Sequence, residues 1–313
     1  FFILIKYILQ RLVYGFFVLL GVVIIVFFLF QLTRINPERQ IAGEKADKAT
    51  IENIKKELGL DLPVWQQLGL YLNDISPLSW HNNSDTTSRF YLSSEKYQYF
   101  RVLNIGHTSM VIKKPYLSRS YVSKRSVSEI LSERIPNTLV LALTAMIFAT
   151  IVGITLGVIA ATRPNSMLDR ACTTGSVLGI SFPSFFVGII LQLVFAYLLA
   201  SVTGLNMTGD LYVTDGYTGE QYLELRNLIL PAIALGVRPV AVITQLTRSA
   251  MIDVMHNDYI RTARAKGLNE RVILFRHALK NALNPVVTSV SGWLASLLTG
   301  AFFIEAIFNY NGI

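Results

Sequence analysis

A single cysteine, Cys172, excludes a disulfide framework and a metal site built from cysteines. The four histidines, His81, His107, His256 and His277, fall at no metal-ligand spacing, and no H-E-x-x-H motif occurs. A phosphate loop of the G-x-x-x-x-G-K-[ST] form is absent, as is a G-x-S-x-G nucleophile elbow. Charge is scarce, at 15% of residues, and the long apolar runs offer no paired acids. A proton-driven transporter would need a buried titratable acid, and none is expected here, with Glu305 read as lying at an outer edge. The chain therefore carries no energy source of its own that the sequence shows.

What the chain has in excess is apolar length. Hydrophobic residues make up 52% of it and the mean hydropathy is +0.46, which places it in the membrane class. Five apolar runs are long enough to span: 12–30, 139–161, about 173–201, 228–247 and 286–304. The first follows Lys6 and Arg11 and ends in Phe30-Gln31-Leu32-Thr33-Arg34, without the small-residue site of a cleaved signal peptide. The second carries Gly153-Ile154-Thr155-Leu156-Gly157, a spacing that lets membrane helices approach closely, and Pro136 with Thr138 is expected to open it. The third has Gly175, Gly179 and Gly188 and should bend at Pro183, with Gln192 either lining a passage or bonding to a neighbouring helix. In the fourth, Arg238-Pro239 sits mid-span, where a charge must face protein, water or a partner. It would neutralise the carboxylate of a passing solute, or more simply pair with a backbone carbonyl freed by the proline.

Residues 33–134 hold no spanning run. Positions 38–60 favour helix, Leu58-Gly59-Leu60-Asp61-Leu62-Pro63 stops it, and His81 to Ser94 reads as a polar loop. Tyr91, Tyr97, Tyr99, Phe100, Tyr116 and Tyr121 lie in a basic setting, expected at headgroup level rather than against nucleic acid.

The densest charge lies between the fourth and fifth runs. Arg248, Arg261, Arg264, Lys266, Arg271, Arg276 and Lys280 outweigh Asp253, Asp258 and Glu270, so this short loop is expected on the cytoplasmic side. Nothing breaks a helix from Met251 to Lys266. Gly267 then interrupts it, and Asn269 can cap a second short helix ending near Asn281 to Pro285. Read from the residues alone, the object is two short helices meeting at a bend, and the charge run by itself is no more than a topology signal.

The order of residues adds a resemblance. Asp258-Tyr259-Ile260-Arg261-Thr262-Ala263-Arg264-Ala265-Lys266-Gly267-Leu268, continued by Arg276 to Pro285, closely resembles the cytoplasmic loop by which ABC-importer permeases dock on their ATPase subunits, in the form found in dipeptide and oligopeptide permeases of the B-subunit kind. Arg261-Thr262-Ala263 departs from the general Glu-Ala-Ala triplet but fits the peptide-permease variant. The Leu58 to Pro63 phrase, Asn104 to Ser109 and the ending from Glu305 to Gly312 resemble further family phrases, with Asn104 in place of an acid and Asn311 in place of a proline. Residues 79–103 look like an insertion.

The resemblance implies an all-α polytopic permease fold of about six spans, five of them within this sequence. It implies an N-terminal span at 1–32, an extracytoplasmic segment at 33–134, and a permease core at 135–313 with its coupling loop at 251–284. It implies a bacterial or archaeal cell membrane, a second homologous permease subunit, two ATPase subunits that bind ATP and Mg, and an outer peptide-binding protein, with no cofactor in this chain and no nucleic acid. Ala263 and Gly267 would pack closely, Arg261, Arg264 and Lys266 would form a polar rim, and Arg238, Pro183 and Gln192 are the pathway candidates. A permease for nickel or another small solute, a scaffold without transport, and a secondary transporter remain the alternatives.

Overall fold

The structure is a computed structural model and describes residues 2–33, 37–43, 47–85, 88–94, 96–120 and 122–313. The chain divides into two compact units, Phe1–Ile130 and Leu131–Ile313.

In the first unit, α1 (Phe2–Leu32) carries the exposed Lys6, Gln10 and Arg11 in its first third, and from Leu12 to Phe30 it is apolar on every side, with leucine, isoleucine, valine, phenylalanine and Tyr14 exposed. Such a stretch has no polar face to give to water and belongs in lipid. The helix begins well before the run expected from Leu12, because Ile3 to Gln10 continue the same helix. After α2 (Pro37–Ala42), α3 (Lys48–Glu57) is capped by Asp47, whose carboxylate accepts from the Thr50 amide at 3.1 Å. Gly59 turns the chain at a φ of +73°, a left-handed value that favours glycine. α4 (Val64–Ile75) then leans on the end of α1: Tyr71 stacks on Phe27, Trp65 meets Phe28 edge-on, and Gln31 donates to Gln67 at 2.8 Å.

The stretch read as a loop contains a sheet. β1 (Leu78–Asn82), β2 (Tyr99–Ile105) and β3 (Thr108–Lys113) form an antiparallel sheet ordered β1-β3-β2, with Gly106 in the β2–β3 turn. Its polarity is the reverse of the usual pattern. Ser79 and His81 point inward, while Leu78 and Trp80 are exposed. The inner face is closed by a polar knot: Tyr97 donates to Asp74 at 2.5 Å, Lys96 pairs with the same carboxylate at 2.9 Å, and the buried Lys113 donates to the Asp74 carbonyl. Tyr97 is thus a core residue, packed on Tyr116, and not a headgroup anchor. Tyr121, expected with it, lies outside the described residues.

His81 gives this knot a pH dependence. Its ring is buried against Tyr97, 3.0 Å from the Ser79 hydroxyl, and burial, aided by the Lys113 charge, lowers its pKa. The unfolded imidazole therefore takes up a proton at a higher pH than the folded one. The stabilising contribution is complete above about pH 6.5 and is lost as pH falls from there through the lower folded value. Hydrogen-exchange protection of the β1 amides in the solubilised protein should fall over that window, and His81→Gln should flatten the dependence. Equal slopes in both proteins would remove His81 from the account.

In the second unit, α5 (Val127–Thr162) begins in the last residues of the first unit and runs straight through Pro136, giving up one ladder bond rather than starting a new element there. α6 (Met167–Ser181) and α7 (Ser184–Leu191, widening into a π turn over Gln192–Leu198) replace the single third span. They meet at Phe182-Pro183 with a bend of 105°, far sharper than a proline kink within one rod. A short α8 (Ala200–Thr203) and a hairpin of β4 (Tyr212–Thr214) and β5 (Gln221–Leu223) lead to α9 (Arg226–Met255). α10 (Asp258–Ala265) and α11 (Glu270–Val272) follow, and a π turn over Ile273–Ala278 runs into α12 (Leu279–Phe308). Among the described residues four helices are long and apolar enough to cross a membrane, or five if the bent α6–α7 pair counts as one.

α9 is the axis of this unit, with buried side chains along most of its length, from Asn227 to Met251. α5 lies against it through the two glycines of the expected small-residue motif. A Cβ at Gly153 would lie 2.7 Å from the Ile243 side chain, and one at Gly157 would lie 2.8 Å from the Thr244 carbonyl oxygen. Only hydrogen fits at those positions.

Candidate functional site

The charged segment is built in two steps. α9 ends at Met255, and Asn257 leaves helical geometry at ψ 149° before α10 begins, so the unbroken helix expected over 251–266 is divided there. α10 is amphipathic. Ile260 and Ala263 are buried with Met251, Ile273, Ala278 and Ala282, and with Val158 and Ala161 of α5. Asp258, Tyr259, Arg261, Thr262, Arg264, Ala265, Lys266, Gly267 and Leu268 are all exposed. One apolar stripe thus clamps α10 to the ends of α5, α9 and the segment leading into α12, and leaves the polar surface outward.

The turn after α10 is closed locally. Gly267 sits at a φ of +76°, the Leu268 amide donates back to the Ala263 carbonyl at 3.3 Å, and Arg264 pairs with Glu270 across the bend at 2.9 Å. Asn269 accepts from the Arg271 amide at 2.9 Å and starts α11, as its position suggested. A Cβ at Gly267 would touch nothing within this chain, so the backbone conformation alone calls for glycine here. The second short helix does not end near Asn281 to Pro285. α11, the π turn and α12 run on from Glu270 to Phe308, and Pro285 lies inside the helix. Asn281 donates to the Tyr259 hydroxyl at 2.9 Å, tying that helix to α10. α10 is therefore one short bar fixed to a long lever, in place of two short helices.

The mid-span candidates separate. Pro183 begins α7 at the sharp break. Gln192 is buried and spends its amide on two carbonyls, Met207 at 2.8 Å and Ile307 at 3.1 Å, the neighbour-bonding role of the two considered. Arg238 is exposed beside a buried Pro239 and makes no hydrogen bond or ion pair with any described residue, so the expected pairing with a proline-freed carbonyl does not occur.

Two acids are buried where none was expected. Asp169 in α6 holds Arg248 of α9 through both carboxylate oxygens, one of them at 2.6 Å, and accepts from the Asn165 amide at 2.8 Å. Ser166 caps α6 by accepting from the Asp169 amide, a Ser-x-x-Asp signature that the sequence displays. Glu305 lies near the end of α12, as expected, but is only 3% exposed. It accepts from Thr138 at 2.6 Å, while the chain after α12 folds back on the start of α5: Tyr310 donates to the Asn137 carbonyl and Asn137 to the Asn311 carbonyl. No local signal marks that burial, because its partners lie more than 160 residues away.

Residues 153–313 match the family model described as binding-protein-dependent transport system inner membrane component, and residues 4–86 match that of its N-terminal region. The chain is 32% identical to a dipeptide transport system permease protein, DppB, of Alkalihalophilus pseudofirmus, over 99% of this chain and 86% of that one. It is 33% identical to the glutathione transport system permease protein GsiC of Escherichia coli K12, over 99% and 84% respectively. Among solved structures, the MetNI methionine ABC transporter in inward-facing form aligns with a TM-score of 0.45 and 17% identity, over 57% of this chain and 75% of that one.

Proposed function

Since the chain belongs to the family of binding-protein-dependent transport system inner membrane components, we propose that it is one membrane subunit of an ATP-driven importer that carries short peptides into the cell. Two relatives named for dipeptide and glutathione transport, matched along nearly the whole chain, support the peptide class. Its partners in this reading are a second permease subunit, two ATPase subunits that hold ATP and Mg, and an outer binding protein that delivers the peptide. The basic stretch around α10 faces the cytoplasm and residues 33–134 face outward, in keeping with the concentration of Lys and Arg in a short loop.

The observation that carries the mechanism is the mounting of α10. It presents Arg261, Arg264 and Lys266 outward, while Ile260 and Ala263 fix it to α9 and to the helix that becomes α12. A bar seated in a groove of an ATPase subunit would pass that subunit's displacement into two spans at once. The spans then shift population between inward- and outward-open arrangements as ATP binds and is hydrolysed.

The test is to co-purify the complex, place it in lipid and follow ATP hydrolysis with and without peptide-loaded binding protein. Hydrolysis stimulated severalfold by the loaded protein is the expected result. Absence of any co-purifying ATPase, or hydrolysis indifferent to the binding protein, would favour a scaffold without transport.

A further inference from the structure

α9 changes character along one face. Pro231, Ala234 and Leu235 are buried there, with Ala234 close to Gly188 of α7 and Leu235 close to Gly300 of α12. Towards Met255 the same face opens. Arg238, Val242, Gln245 and Ser249 follow at spacings of four, three and four, which keeps them on one stripe about 16 Å long. Arg238 and Ser249 are exposed, Val242 and Gln245 half-buried. None of the three polar side chains makes a hydrogen bond or ion pair with a described residue, whereas Thr244 and Arg248 beside them find partners; the fully buried Thr247 hydroxyl, on another face, is unpaired as well.

Lipid is a poor surrounding for that stripe. Arg238 stands about 18 Å from the start of α9 and about 25 Å from its end, too far for its side chain to bring the guanidinium to either headgroup layer. An unpaired cation and an unpaired amide at this depth require water or a charged partner. The open half of the stripe ends at the charged segment, and its closed end lies at Arg238.

We propose that this face of α9 lines a water-filled part of the passage and that Arg238, at its closed end, receives the C-terminal carboxylate of the peptide. The proposal rests on the peptide-import reading above. The cation is fixed on the best-packed helix of the unit, and its five N–H donors match a carboxylate in a two-pronged arrangement. Gln245 and Ser249 offer neutral donors and acceptors further along, suited to peptide groups of varied side-chain character.

The experiment uses the whole complex in proteoliposomes. Transport is measured for one short peptide and for its C-terminal amide, each loaded on the binding protein to the same occupancy. In the unmodified complex the free carboxylate should be favoured. Arg238→Gln should erase that preference through a loss of about tenfold, the worth of a charge-assisted contact, in transport of the free acid alone. Arg238→Lys should restore part of it. In a Cys172→Ser background, cysteines at Gln245 and Ser249 should react with a membrane-impermeant thiol reagent applied from the cytoplasmic side, while one at the exposed apolar Ile151 of α5 should not. Equal losses for acid and amide would overturn the carboxylate role. A complex that falls apart in Arg238→Gln would make Arg238 a contact with an acid of the second subunit. Unreactive cysteines at both positions would overturn the water-filled passage. If the unmodified complex moves neither peptide, the peptide-import reading fails first, and the two failures are distinguishable.

Discussion

Gly157→Leu is expected to prevent assembly of the spans. At this position a Cβ alone would lie 2.5 Å from the Thr247 Cβ and 2.8 Å from the Thr244 carbonyl oxygen, and the second of these is backbone. A flexible side chain could turn aside, but a carbonyl held in the middle of α9 cannot. Overpacking of this kind costs about 1–3 kcal/mol, and the immovable neighbour puts leucine at the upper end. The loss would fall on α9, which also carries the contacts of α6, α7 and α12, so separating α5 from it loosens the unit as a whole. Gly157→Ala adds only the Cβ and should cost about 1 kcal/mol less than leucine. The measurement is thermal unfolding of the purified complex in detergent, read beside the yield of assembled complex. If Gly157→Leu assembles and melts like the unmodified protein, α5 does not approach α9 this closely.

Ile260→Asp should have a different phenotype, in which the complex is present but uncoupled. Ile260 is fully buried against Met251, Ile273, Ala278 and Ala282, and no cation lies in that apolar cluster. An unpaired carboxylate forced in there costs about 3–5 kcal/mol. α10 has an easier response than unfolding the spans, since it is only eight residues long and breaks at Asn257 and Gly267 flank it. It would lift from its seat and take the charge to water. ATP hydrolysis by the lipid-embedded complex should then continue at its basal rate but cease to respond to peptide-loaded binding protein. Ile260→Val, which removes one methylene for about 0.5–1.5 kcal/mol, should leave the response nearly intact. A normal response in Ile260→Asp would mean that α10 transmits motion without being clamped, and the lever account would be lost.

The effects differ because the two residues hold different kinds of structure. Gly157 lies where two long helices share a surface, and any added volume acts on both. Ile260 holds a small element at the end of a larger one, and its loss is absorbed locally.

How much could be read in advance follows the range of the signals. Apolar runs of about twenty residues fixed the membrane class, and their lengths located the helices to within a few turns. Asn269 and Gly267 marked the start of α11 and the turn before it, because caps and left-handed turns are chosen by the few residues that make them. The glycines at 153 and 157 announced a close helix contact by their spacing alone. Other features were invisible for a stated reason. The sheet was missed because four of the five inward positions of β1 and β3 are polar, Ser79, His81, Ser109 and Lys113, with Val111 the apolar one, so the alternation that betrays a half-buried strand is largely inverted. Pro136 and Pro285 looked like boundaries because proline removes one bond, yet each sits in a helix long enough to lose it.

The sequence by itself determined which stretches are apolar, the cap at Asn269 and the turn at Gly267, and the order of residues that identifies the docking segment, since all of these are properties of neighbours along the chain. Only the tertiary structure decided that Asp169 meets Arg248, that Glu305 is buried beneath the start of α5, and that one face of α9 is closed above Arg238 and open below it. Those are relations between helices far apart in sequence. Burial and pairing belong to the space the helices enclose, and no single stretch of residues contains that space.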